Sequence, residues 1–302
     1  MRKKILITGS NGLLGQKIVY SLLKSKKADF VATSLGENRL LRKNGYLYES
    51  MDITNSKAIE QVVSKHRPTT IINTAAMTNV DACETEKEKC LKLNVEAVGN
   101  LSNICSSHNI HLIHLSTDFI FNGKAGPYKE VDEPDPLSYY GWSKLESEKK
   151  MNVSNCPWTI IRTIIVYGIV DNMSRSNVVL WAKNSLETGK EINVVDDQVR
   201  APTLAEDLAE ACISAALKKA TGIYHVSGKD IMSIYELVQR VADYYNLDKS
   251  LIKPIKSESL GQPAKRPPIT GFVLDKAYRE LDYQPHSFLE GIELMDSQMQ
   301  RK

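Results

Sequence analysis

The chain has 302 residues, a formal net charge of +3, and 42% hydrophobic and 25% charged residues, the balance of an ordinary globular protein long enough to bury a large core. Its basic residues are scattered, which argues against a nucleic-acid surface, and no apolar run is long enough to span a bilayer. Five cysteines (Cys83, Cys90, Cys105, Cys156, Cys212) are not close in sequence and leave an odd one over, which suits small core residues in a reducing compartment better than a disulfide framework.

In chain order, Met1-Arg2-Lys3-Lys4 starts like a signal peptide, but the apolar run behind it stops at Thr8-Gly9, too short for a signal core. A cytoplasmic location is expected, without membrane or nucleic-acid partners. Ile5-Leu6-Ile7-Thr8 reads as a buried strand, and the helical spacing of Leu13, Leu14, Ile18, Val19, Leu22 and Leu23 follows it. Gly9, Gly12 and Gly15 lie between, spaced Gly-x-x-Gly-x-x-Gly, one residue off the usual dinucleotide fingerprint. Gly9 permits the tight turn, Gly12 the approach of a pyrophosphate, and Gly15 the close seating of helix on strand. The helix N-terminus then presents free N–H groups to the phosphate. Asn11, Leu13 and Leu14 are assigned to the cofactor with Gly9 and Gly12.

Asp29 to Ser34 is a second strand. An NAD-selective fold would place an acid about 20 residues past the glycines, but this strand ends in Thr33-Ser34, with Arg39, Arg42 and Lys43 after it. Small hydroxyls with arginines suit a 2′-phosphate. The expected cofactor is NADPH or NADH, with NADP favoured and Ser34 and Arg39 as contacts; Glu37 remains within reach of a ribose, and solvated surface charge is the plainer alternative. Met51 to Thr54 ends another extended stretch and contributes Asp52 and Ile53. A helix begins at Asn55. Thr69 to Asn73 is the next strand and runs into Thr74-Ala75-Ala76, where small residues let a cofactor lie against the backbone, so Asn73, Ala75 and Ala76 join the set.

Glu86 to Cys105 is helical in pattern, with Asn94 in its middle, facing solvent or bonding a neighbouring loop. Ile110 to Ser116 is a strand carrying His111 and His114. These point to opposite faces because strand side chains alternate, so they do not chelate one ion and no metal is expected. Ser116-Thr117-Asp118 ends that strand, and a loop runs from Phe121 to Pro136. Tyr140 and Lys144 then share one face of a helix. A lysine near a phenol lowers its pKa, and a tyrosine so tuned is a general acid for a carbonyl becoming an alcohol. Thr117 supplies a hydroxyl to the same oxygen. Thr117, Tyr140 and Lys144 are the catalytic candidates, the last two also touching the cofactor. In the back half, Ser176 to Thr188, Leu204 to Lys218 and Ile234 to Tyr245 read as helices, Glu191 to Asp196 and Tyr224 to Ser227 as extended. Lys253 to Pro268 reads as a long loop that brings Lys265 and Arg266 over a diphosphate.

The predicted fold is α/β: a Rossmann-type doubly wound parallel sheet with a smaller C-terminal substrate-binding α/β region. Residues 1–168 form the dinucleotide-binding domain, with 191–226 returning to it, and 169–302 are mainly substrate-binding.

The glycine motif, Asp52-Ile53-Thr54, Asn73-Thr74-Ala75-Ala76, the strand-end Ser-Thr and Tyr140-x-x-x-Lys144 fall in the order of the short-chain dehydrogenase/reductase superfamily. The sequence resembles its extended branch and, within that, the dTDP-4-dehydrorhamnose reductase family. The specific blocks are Asn73 to Asp81, Leu115 to Gly123, Gly126 to Glu130, Pro136-Leu137-x-x-Tyr140-Gly141-x-x-Lys144, Arg162-Thr163, Asp197-Gln198-x-x-Ala201-Pro202-Thr203 and Arg266-Pro267. The resemblance implies NAD(P)H-dependent reduction of the 4-keto group of a nucleotide-activated deoxy sugar, with Asn94 supporting Lys144 through water and lining the cofactor site. It implies substrate contacts at Thr78, Val80, Asp118, Phe119 and Arg266, and in parts of the family a homodimer or magnesium. Departures fall at Met77, where a tyrosine is common, at Ile164-Ile165 in place of Ser-Trp, at Arg200 in place of glycine, and at Pro268 to Gly271. They leave a UDP-linked deoxy amino sugar as an alternative substrate. Sugar 4,6-dehydratases of the same branch carry Thr-Asp-Glu at the strand end, and Phe119 cannot do the glutamate's work, so dehydration is rejected. A non-catalytic NADP-binding regulatory subunit, like the beta subunit of methionine adenosyltransferase, is the competing class.

Overall fold

The computed structural model describes residues 3–172 and 176–300; Met1 and Arg2 of the basic start lie outside them. Seven strands form the central sheet: β1 (Lys4–Thr8), β2 (Asp29–Ser34), β3 (Leu47–Ser50), β4 (Thr70–Asn73), β5 (His111–Thr117), β6 (Trp158–Thr163) and β7 (Gly222–His225). Their order is β7-β6-β5-β4-β1-β2-β3 and every neighbouring pair is parallel. This is the predicted doubly wound sheet. The order reverses between β1 and β4, which opens a crevice at the carboxyl ends of those strands.

Alternation along the strands sorts the core into two layers. Ile5 and Ile7 of β1 pack on one side with Ile18, Val19 and Leu22 of helix Leu13–Ser25 and with Leu208, Ala211, Cys212 and Ala215 of helix Ala205–Lys218. Leu6 packs on the other with Ile59 and Val63 of helix Ser56–His66, Val98 and Leu101 of helix Ala97–His108, and Met151 of helix Tyr139–Asn152. Burial on both faces explains why these strands read as continuous apolar runs. A separate core in the C-terminal part joins helices Val178–Glu187, Ile234–Tyr245 and Phe288–Met299 through Leu180, Leu237, Val241, Phe288 and Ile292.

β6 is a strand that the sequence reading does not mark, and three of the segments it does mark differ in the structure. The predicted 86–105 helix is helix Lys87–Leu91, a π turn at Lys92–Glu96 and helix Ala97–His108. Such a widened turn is common at functional sites, and it carries Asn94. The predicted 253–268 loop is shorter, because Ile252–Ile255 pairs with Ile192–Val195 in a two-stranded sheet and Ser257–Leu260 makes a short turn of 3-10 helix. Pro254 masks that strand, yet a two-stranded ribbon has a free edge for it. The segment 191–226 therefore divides. Its second half supplies helix Ala205–Lys218 and β7 to the main sheet, and Ile192–Val195 stays with the C-terminal region. Among the described residues no helix is long and apolar enough to cross a membrane.

Candidate active site

β1 ends at Thr8 and turns at Gly9, whose φ of +65° places it in the left-handed region that glycine occupies freely. The Gly12 N–H donates to the Gly9 carbonyl at 2.9 Å, closing the turn. Helix Leu13–Ser25 starts without a side-chain cap, so its first N–H groups face the crevice, where an anion satisfies them. A Cβ built on Gly12 meets only the Gly9 oxygen within 4 Å. The space beside Gly12 is thus open to a phosphate, and the cradle fits a dinucleotide.

The Asn11 side chain ties this cradle to the loop after β2. Its Nδ2 donates to the Glu37 carbonyl at 2.8 Å and its Oδ1 accepts from the Arg39 N–H at 2.9 Å. Arg39 and Glu37 are exposed and Ser34 half-buried at the end of β2, so hydroxyl, carboxylate and guanidinium share one rim. Asp52 accepts from both N–H and hydroxyl of Thr54 at 2.8 Å, which orders the turn at Ile53. Ala75 and Ala76 follow β4 beside Gly9, and the Thr74 hydroxyl donates to the Thr8 carbonyl.

At the end of β5, helix Tyr139–Asn152 is capped by Ser138, which accepts from the Gly141 N–H at 3.2 Å. Gly141 lies so close to the strand end that a Cβ there would stand 2.1 Å from the Phe119 carbonyl. That approach sets the Tyr140 phenol against the Thr117 hydroxyl, which hydrogen-bonds it, and against the edge of the Phe119 ring, 5.8 Å between centroids. Thr117 Oγ1 in turn donates to Asp118 Oδ1 at 3.0 Å.

The electrostatics depart from the sequence expectation. Burial pushes the Tyr140 phenol up, with only the Thr117 hydrogen bond opposing it. Desolvation lowers Lys144 to about 8. The lysine amine turns to His114 Nε2, 3.1 Å away, a partner that strand alternation by itself does not reveal. Asn94 Oδ1 accepts from the Met77 N–H at 2.8 Å, and its Nδ2 donates to the Met77 carbonyl at 3.0 Å and to Ser143 Oγ at 3.1 Å. Its direct partners are thus the loop after β4 and the tyrosine helix, not Lys144.

Arg200, noted as a departure, is fully buried and packs over the Phe119 ring at 5.9 Å. Its Nε lies 3.8 Å from Asp118 Oδ2, and its Nη atoms donate to the Val199, Pro267 and Pro268 carbonyls. Thr270 Oγ1 donates to the same Asp118 oxygen. Burial raises Asp118, and Arg200 and the two hydroxyls counter it. Arg266 forks onto Asp81, with Nη1 to Oδ1 at 3.2 Å and Nη2 to Oδ2 at 2.7 Å, clasping the C-terminal loop to helix Val80–Thr85. Thr78 is exposed and Val80 half-buried at the start of that helix. Ile165 is held at φ +26°, a strained conformation for a β-branched residue. No signal local to the sequence pairs Arg200 with Asp118 or Arg266 with Asp81.

His111 and His114 are separated as predicted: His111 Nε2 meets Thr159 Oγ1 at 2.7 Å, while His114 meets Lys144 and Ser147. Among the described residues there is no group of three or more His, Cys, Asp or Glu that could hold a metal.

The chain is 31% identical to methionine adenosyltransferase 2 subunit beta of Bos taurus over 88% of its length and 78% of that protein. It is 32% identical to the spore coat polysaccharide biosynthesis protein SpsK of Bacillus subtilis, over 96% of this chain and 95% of that one. The crystal structure of dTDP-4-dehydrorhamnose reductase from Bacillus anthracis in complex with NADP superposes with a TM-score of 0.86 at 28% identity, covering 99% of this chain and all of that one. A reductase ortholog from Clostridium acetobutylicum superposes at 0.83 with 29% identity, covering 98% and 99% of the two chains. The model of the RmlD substrate binding domain matches residues 2–301, and the chain belongs to that family.

Proposed function

We propose that this protein is an NAD(P)H-dependent reductase of the 4-keto group of a nucleotide-activated deoxy sugar, converting dTDP-4-dehydro-L-rhamnose to dTDP-L-rhamnose. The observation that carries this reading is the Tyr140 phenol, buried against Thr117 at the end of β5 and across the crevice from the glycine cradle. NAD(P)H bound in that cradle supplies the hydride. Gly9, Gly12 and the N-terminus of helix Leu13–Ser25 hold its phosphates, and the Ser34–Arg39 rim receives the adenosine ribose. Burial keeps the Tyr140 phenol protonated at neutral pH, which is the form a general acid needs. Tyr140 delivers that proton to the oxygen at C4, and Thr117 orients the same oxygen. Lys144, lowered to about 8, holds the nicotinamide ribose and keeps positive charge near the phenolate left after transfer. Phe119 stands where a dehydratase needs an acid–base group, so reduction proceeds without elimination.

The test is NADPH consumption by the purified protein with dTDP-4-keto-6-deoxy-L-mannose, run in parallel with UDP-linked 4-keto deoxy amino sugars. Oxidation with the dTDP sugar supports the reading, and oxidation with only the UDP sugars moves the specificity. No oxidation with any of them overturns it in favour of a regulatory NADP-binding role, which the likeness to methionine adenosyltransferase 2 subunit beta supports.

A further inference from the structure

Thr8, Asn73 and His114 occupy the same register on β1, β4 and β5, so their side chains form one row across the centre of the sheet. Thr8 Oγ1 lies 2.6 Å from Asn73 Oδ1, and Asn73 Nδ2 lies 3.1 Å from His114 Nδ1. His114 Nε2 lies 2.9 Å from Ser147 Oγ and 3.1 Å from Lys144 Nζ. All five residues are 2% exposed or less. A polar row through an apolar sheet costs stability unless every member is satisfied. This one is satisfied, and it runs from the residue before Gly9 to the amine of Lys144.

We propose that His114 is the positioning residue for Lys144, holding the amine in both of its charge states by moving its own ring proton from one nitrogen to the other. Desolvation and the nearby lysine charge keep the imidazole neutral, so it carries one N–H. When Lys144 is an ammonium, Nε2 must accept from it, and the ring proton sits on Nδ1 facing the Asn73 amide oxygen. When Lys144 is a neutral amine, Nε2–H points to the amine or to Ser147, and Nδ1 accepts from the Asn73 amide nitrogen. A half-turn of the Asn73 amide converts one arrangement to the other, because the Thr8 hydroxyl serves as donor or acceptor. Across this change Lys144 gives one proton to the solvent, while Thr8, Asn73 and His114 keep their proton count and only the direction of their hydrogen bonds reverses. Besides His114 on β5, the groups acting on the Lys144 charge are Glu148 on its own helix and Cys90 on helix Lys87–Leu91; Tyr140 stands one turn before it on the same helix, and Arg162 on β6 pairs with Glu148. Among these, His114 is the one hydrogen-bonded to the amine.

This inference rests on the reading of Lys144 as part of the catalytic site, and its first test needs no activity. Imidazole nitrogen spectra of protein carrying 15N-histidine, taken from about pH 6.5 to about pH 9.5, are expected to show His114 passing from the Nδ1–H to the Nε2–H tautomer as Lys144 titrates near 8. One tautomer throughout overturns the proposal, whatever the reductase assay gives. A second arm uses kinetics. His114→Gln puts an amide where Nε2 stood, and His114→Asn puts one where Nδ1 stood. The Gln variant is expected to keep kcat within about threefold, and the Asn variant to lose kcat on the order of ten- to a hundredfold, the loss of one charged hydrogen bond. Equal losses in the two overturn the proposal; where the Asn variant does not fold, the spectra decide.

Discussion

The three glycines of the opening turn answer to different forces, and single methyl additions separate them. A Cβ on Gly15 would stand 2.4 Å from the Gly9 oxygen, 2.6 Å from Ser10 Cα and 2.9 Å from the Gly9 carbonyl carbon. All three are backbone atoms, so helix Leu13–Ser25 must lift off its strand, at about 3 kcal/mol. For a chain of 302 residues the unfolding entropy is roughly 0.6 kcal/mol per degree, so Gly15→Ala should melt about 5 °C lower than the parent. Gly12 has an ordinary φ of −81°, and its nearest neighbour, the Gly9 oxygen, is 3.3 Å away. Gly12→Ala should therefore stay within about 1 kcal/mol of the parent in stability. Its methyl group, however, fills the space given to a pyrophosphate. NADP at 100 times its dissociation constant stabilises the parent by about 2.7 kcal/mol, about 4 °C here. A variant binding tenfold more weakly gains about 1.4 kcal/mol, or about 2 °C, at the same concentration. Thermal melts of the three proteins with and without NADP measure all of this. If Gly12→Ala takes the full NADP shift, the cradle does not hold the phosphates, and if Gly15→Ala melts with the parent, the close seating of the helix is wrong.

Other outcomes follow from the same structure. Tyr140→Phe should reduce turnover on the order of a hundred- to ten-thousandfold while the NADP-induced rise in melting temperature is retained; turnover at the parental rate would remove Tyr140 as the proton donor. Glu148 and Arg162 form a buried fork, at 3.0 and 2.7 Å, with side chains 2% and 3% exposed. Glu148→Gln strands the guanidinium and should cost about 3–5 kcal/mol, read as a lowered melting temperature, whereas Glu148→Met with Arg162→Met should recover most of it. His111 and His225 are buried neutral, their pKa values depressed by desolvation to about 4 and about 3. The unfolded chain then binds protons that the folded one refuses, so stability is full above the ordinary histidine pKa and falls as pH drops below about 6.5, by about 2 kcal/mol per histidine at pH 5. A melting temperature unchanged between pH 7 and pH 5 would contradict this.

The sheet was legible because its strands are apolar on both faces and its helices keep one apolar stripe, so periodicity alone marks β1, β2, β4 and β5. The strand-end Thr117 and the Tyr140–Lys144 spacing were legible because each is local: a strand terminus, and one turn of helix. What escaped was set by contacts between distant segments. His114 reads as one of two strand histidines until helix Tyr139–Asn152 is laid across β5 and brings Lys144 to it. Arg200 and Thr270 reach Asp118 from separate parts of the C-terminal half, and no spacing rule links them. The π turn at Asn94 escaped for a different reason. An inserted residue turns the register by about 100°, but Leu91, Leu93, Val95 and Val98 supply apolar positions on either side of it, so the pattern carries no mark of the turn that aims the amide at Met77.

The near-contact of Gly141 with the Phe119 carbonyl separates what this protein can vary from what it cannot. Strand terminus and helix are pressed together without room for a methyl group, so the Tyr140 phenol and the Thr117 hydroxyl behave as one rigid part, insensitive to the loops above them. Met77, Ile165 and the Arg266 segment belong to those loops. Under the proposed function, changing the sugar is then a matter of loop exchange over an unchanged chassis, and a graft that spares Thr117 to Lys144 should keep turnover while changing its guest.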